Sequence, residues 1–83
     1  MEKTKSGEIV NYIKSFGNVD EYTINGGKTV VYRTIGTINF FALICQKWGL
    51  PWKWTAAGLS ATASGEGFSV DYCERDILVA VDL

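Results

Sequence analysis

The sequence predicts a small α+β domain in the order α-β-β-α-β-β-β, with an antiparallel sheet and two helices packed on one side. Three observations predict it. Two segments carry apolar residues at helical spacing, later and intervening runs are β-rich with a period of two, and short Gly- and Asn-containing turns join the runs. Short turns favour antiparallel pairing, and the apolar face of such a sheet needs helices to cover it. At 83 residues the chain makes one domain, residues 1–83. A domain of this size buries only about 60–65% of its unfolded surface, so its stability is marginal.

The first helix is expected over residues 6–16, with Ser6 as N-cap. Ile9, Val10, Ile13 and Phe16 share one face, Glu8, Asn11, Lys14 and Ser15 face away, and Gly17-Asn18 ends the pattern. Two β-rich runs follow, Glu21–Ile24 and Lys28–Ile35, around Asn25-Gly26-Gly27, a tripeptide suited to the positive φ of a tight hairpin. The second run has apolar groups on both faces, Val30 and Tyr32 on one and Val31 and Ile35 on the other, so it is expected to be covered, at least partly, on both sides.

Thr37 is the expected cap of a second helix over residues 38–48, INFFALICQKW. Asn39 and Gln46 form a narrow polar stripe and the rest of the circumference is apolar, so burial over most of its girth is expected. Gly49 suits the left-handed position after a helix, Leu50 can pack back on the last turn, and Pro51 prevents continuation. Beyond Pro51 the period becomes two. Trp52, Trp54 and Ala56 begin a strand that Gly58 interrupts as a bulge, and Leu59, Ala61 and Ala63 resume it. The alanine-rich stretch 55–63 suits strand, loop or helix alike. Ser64–Gly67 and Glu74–Asp76 are the turns before two further strands, Phe68–Cys73 and Ile77–Leu83.

Net charge is −1, which gives no general attraction to nucleic acid or anionic membrane. Its distribution is uneven. Residues 22–65 hold Lys28, Arg33, Lys47 and Lys53 and no acid, while residues 66–83 hold five acids against Arg75. The two segments are expected to pair as neighbouring strands. No apolar run is long enough to span a bilayer and the polar start MEKTKSGE has no secretory signature, so a cytoplasmic location, host or bacterial, is expected, without membrane partners. In that compartment Cys45 and Cys73 are expected as buried thiols and not as a disulfide.

Histidine is absent, which removes the commonest general base and metal ligand. Burial on the apolar helix makes Cys45 a poor nucleophile, and Glu74 beside Cys73 disfavours its thiolate. Asp71, Glu74 and Asp76 follow no calcium-loop spacing and read as solvated turn charges. NGGK at 25–28 and SGEG at 64–67 lack the helix that a phosphate loop requires. No enzyme, cofactor or metal is expected.

The three tryptophans of KWGLPWKW, residues 47–54, carry the functional expectation. Trp48 belongs to the end of the second helix and to the core. Trp54 is assigned to the core side and Trp52, nearer the strand end, to contact. Trp52, Trp54, Lys53, Tyr32 and Arg33 are the candidate partner-binding residues, because Trp, Tyr and Arg dominate interface hot spots. The expected function is a non-enzymatic binding protein that engages, and inhibits or regulates, a protein partner, as viral and mobile-element regulators do. A homodimer through the last strand or the second helix belongs to the same expectation. Two alternatives remain: single-stranded nucleic-acid binding through the same aromatic and basic residues, and a nucleotide-binding homo-oligomer.

Overall fold

The computed structural model describes residues 4–55 and 59–83. Two helices and six strands follow one another as α1 (Lys5–Lys14), β1 (Asp20–Ile24), β2 (Thr29–Ile35), α2 (Ile38–Lys47), β3 (Trp52–Trp54), β4 (Ser60–Gly65), β5 (Phe68–Cys73) and β6 (Asp76–Asp82). The strands form one antiparallel sheet in the order β1-β2-β6-β5-β4-β3. Both helices pack on one face, as the sequence predicts.

α1 starts earlier than expected. Thr4, and not Ser6, caps it by accepting the Gly7 N–H at 3.2 Å, and Ser6 is buried within the first turn. The helix stops at Lys14, where the Ser15 hydroxyl donates to the Tyr12 carbonyl at 2.6 Å. Phe16 therefore leaves the helical face and is 64% exposed. In α2 Thr37 caps as predicted, accepting the Phe40 N–H. Its end is a Schellman motif. Gly49 takes φ +68°, its N–H bonds the Gln46 carbonyl, and the Leu50 N–H bonds the Cys45 carbonyl at 2.8 Å. α2 is less buried than its composition suggests, because Leu43, on the Asn39–Gln46 side, is 48% exposed.

The largest departure lies after Pro51. Residues 52–63 do not form one interrupted strand. Trp52–Trp54 fold back on Ala61–Ala63, Trp52 opposite Ala63 and Trp54 opposite Ala61. The Thr55 N–H reaches the Ser60 carbonyl at 2.8 Å across the connection. The expected bulge at Gly58 lies outside the described residues. Folding back gives a six-stranded sheet whose last four strands form a meander, with β6 inserted beside β2.

The core lies between helices and sheet. Ile9 and Ile13 from α1 and Phe41 and Ile44 from α2 meet Val70, Ile77 and Val79 from β5 and β6, all inaccessible to solvent. Ala61 and Ala63 are buried on β4, where small side chains leave room for the large ones above. The helices lie antiparallel, because Trp48 at the end of α2 reaches Glu8 near the start of α1, while Phe40 meets Phe16. Tyr12 sits between them, 5.3 Å from Trp48 and 4.9 Å from Phe16 between ring centroids. The opposite sheet face carries no helix. Val31 is nonetheless buried there, while Ile35 on the same face of β2 is 77% exposed, so β2 is covered only in part on that side.

Candidate functional site

The five residues expected to bind a partner do not form one surface. Trp52, Trp54 and Tyr32 project on the helix-bearing face, while Lys53 and Arg33 project on the other, as the alternation of the paired strands requires. β2 and β3 are four strand spacings apart, so Tyr32 and Trp52 stand about 19 Å from each other. Arg33 is committed within the fold, donating to Asp20 at 3.0 Å and Asp76 at 2.9 Å. The Asp76 contact joins the basic middle of the chain to its acidic tail, as expected. Tyr32 is half-buried beneath Lys14, whose Nζ lies 5.5 Å from the ring centroid.

The two strand tryptophans exchange their expected roles. Trp52 is half-buried and packs edge-on against Phe41, with 5.5 Å between centroids. Trp54 packs on Trp52 at 5.6 Å and remains 49% exposed. The reason is the hairpin. Trp52 faces Ala63 beneath α2, and Trp54 faces Ala61 one step beyond the Phe41 ring. Trp48 is half-buried between the helices and its indole N–H donates to Glu8 Oε1 at 2.8 Å.

A different group of side chains does converge. Phe16, Ile35, Gly36, Thr37, Phe40 and Leu43 line an open depression of about 320 Å³ where α1 ends, β2 ends and α2 begins. Phe16, Ile35 and Leu43 are 64%, 77% and 48% exposed, so three large apolar groups face water together. No ionisable side chain lines the depression. Its position is fixed from below, because Gly36 donates to the Arg75 carbonyl at 2.8 Å and lies against Ile77. The helix period places Phe16 with the core residues Ile9 and Ile13, and the early end of α1 removes it from them. Leu43 is not among the residues expected at the surface, although its place four residues after Asn39 and three before Gln46 puts it on the polar stripe.

The remaining chemistry is sparse. Cys45 is buried, and burial pushes its thiol up to about 11. Cys73 is exposed on the helix-free face, contrary to the expectation that both thiols are buried, and both are free. Asp71 accepts hydrogen bonds from Thr62 and Ser69, and Asp76 holds Arg33. Among the described residues no three Cys, Asp or Glu side chains gather into a metal-binding group, and no helix is long and apolar enough to cross a membrane. Comparison with known proteins finds no matching family model, no matching curated protein and no matching solved structure.

Proposed function

We propose that this chain is a non-enzymatic binding protein that docks a partner protein, and thereby inhibits or regulates it, through the depression formed by Phe16, Ile35, Phe40 and Leu43. The observation that supports this is the joint exposure of Phe16, Ile35 and Leu43 around one concave site. Covering the exposed part of these side chains on a partner is favourable by about 25 cal/mol per Å² of apolar surface removed from water. A concave apolar surface without charges suits an apolar side chain of a partner better than a phosphate. Trp54 stands as a second candidate contact, on the far edge of the sheet.

The test is affinity capture from cells of the source with three proteins: the natural chain, an Ile35→Asp/Leu43→Asp variant and a Trp54→Ser variant. The expected result is one stoichiometric partner that the Asp variant loses and the Trp54 variant retains. Loss only with Trp54→Ser would move the site to the sheet edge. Binding by all three, or by none, would remove the depression as the docking site.

A further inference from the structure

The sequence treats the two edges of the sheet differently. At one edge β3 has three residues, follows Pro51 and carries Lys53, features that discourage a further strand. At the other edge β1 runs Asp20–Ile24, with all five residues exposed. It contains no proline, glycine or lysine, and pairs one-to-one with β2, with no bulge to twist it away. Its outer backbone groups are open to another strand.

The helix-free face is uneven in the same direction. Towards β3 it presents Lys53, Thr62, Ser64, Ser69 and Asp71. Towards β1 it presents an apolar band, Tyr22, Val31 and Ala80 with Ile24 and Leu78, between the Asp20–Arg33–Asp76 ion pairs on one side and Thr29 and Asp82 on the other. Tyr22 and Ile24 are each 42% exposed, while Val31 beside them is buried. The apolar band of this face thus ends at Tyr22 and Ile24 on the edge strand, whose acids Asp20 and Glu21 lie before its midpoint.

We infer that β1 pairs antiparallel with β1 of a second copy of this chain, about a two-fold axis through Tyr22. The register follows from the strand itself. With its midpoint at Tyr22, self-pairing sets Tyr22 opposite Tyr22, Glu21 opposite Thr23 and Asp20 opposite Ile24. Each acid then faces a neutral residue, and Asp20 already holds Arg33 at 3.0 Å, so no like charges stand directly opposite. A two-fold axis normal to the sheet keeps the helices of both copies on one side. It also brings the apolar bands of the two helix-free faces together at Tyr22, an isologous contact made by strand addition. This inference does not rest on the docking site proposed above.

Light scattering and sedimentation of the purified chain test it. The expected mass is twice the 9.2 kDa of one chain. Tyr22→Lys and Tyr22→Glu are each expected to be monomeric with an unchanged circular dichroism spectrum, because like charges then meet at the axis. Mixing the two is expected to restore a dimer. As a second route, Tyr22→Cys in a Cys73→Ser background is expected to cross-link to itself under mild oxidation, since opposed antiparallel residues stand about 4.5–5.5 Å apart between Cα atoms, within disulfide range. A monomeric natural chain at its highest soluble concentration overturns the inference. So does a dimer that survives the single Tyr22 charges, or one dissolved by Ile35→Asp/Leu43→Asp instead.

Discussion

Gly65 and Phe68 face each other across the β4–β5 turn, and the Phe68 ring fills the space that a side chain at position 65 would occupy. Phe68 is 7% exposed, so its ring cannot move aside without disturbing the cluster it shares with Val70 and Val79. Glycine here is a packing requirement, and the aromatic ring shields the backbone opposite. Gly65→Ala is expected to destabilise the fold by about 1–3 kcal/mol, the usual range for overpacking a filled site. Urea unfolding checks it: the midpoint should fall while the slope is unchanged.

The two β-turns that flank β5 make a paired prediction. Gly67 adopts φ +78° and Glu74 adopts φ +58°, so the first turn has glycine in the left-handed region and the second does not. An L-residue there costs about 1–2 kcal/mol in backbone strain, and glycine returns part of that gain as chain entropy. Gly67→Ala should therefore lower stability by about 1 kcal/mol, and Glu74→Gly should raise it by about 0.5 kcal/mol. Thermal unfolding of both variants measures the two signs in one protein. A loss of stability for Glu74→Gly would mean that its side chain contributes more than the strain.

Burial pushes the Cys45 thiol up to about 11 from an ordinary value of 9.0, by desolvation of the thiolate. Between those values the unfolded chain releases a proton that the folded chain keeps. The native state then binds more protons, and stability falls as pH rises. This contribution is fully present below pH 9 and is lost progressively up to about pH 11. Its size is about 2–3 kcal/mol by linkage. Unfolding measured from pH 8 to pH 11 should show that decline, and Cys45→Val should flatten it. A thiol reagent on the native protein should label the exposed Cys73 promptly and Cys45 only after unfolding.

How much of this architecture was legible depended on whether the signal was local. Gly49-Leu50-Pro51 and Thr37 marked both ends of α2 correctly, because a cap or a Schellman turn is made by neighbouring residues. The helix–sheet arrangement followed from two periodicities. The failures were of two kinds, local competition between capping residues and tertiary pairing. Nothing local distinguishes Thr4 from Ser6 as a cap when both can bond the first turn. Phe16 fits the helix period, yet the helix ends two residues before it. The fold-back of Trp52–Trp54 onto Ala61–Ala63 depends on a pairing across the chain, and an alternating run reads the same whether it is one strand or two. That pairing also determined which tryptophan is covered. For the candidate site, the three tryptophans of residues 47–54 drew the functional expectation, whereas the exposed apolar group of Phe16, Ile35 and Leu43 depends on where α1 ends and on which side of α2 faces the sheet.

The exchange of roles between Trp52 and Trp54 can be tested without any partner. Trp52 packs against the buried Phe41 ring, while Trp54 touches Trp52 and is 49% exposed. Trp52→Ala removes a half-buried ring from the edge of the core and should cost about 2–3 kcal/mol, somewhat less than truncation of a fully buried aromatic. Trp54→Ala should cost under about 1 kcal/mol, in the range of surface changes. Iodide quenching gives the same ordering optically. Trp54→Phe should remove most of the quenchable emission, whereas Trp52→Phe should leave it, because Trp48 is half-buried between the helices and hydrogen-bonded to Glu8. If Trp52→Ala proves the milder of the two, the β3–β4 register is displaced and Trp54 is the ring beneath α2.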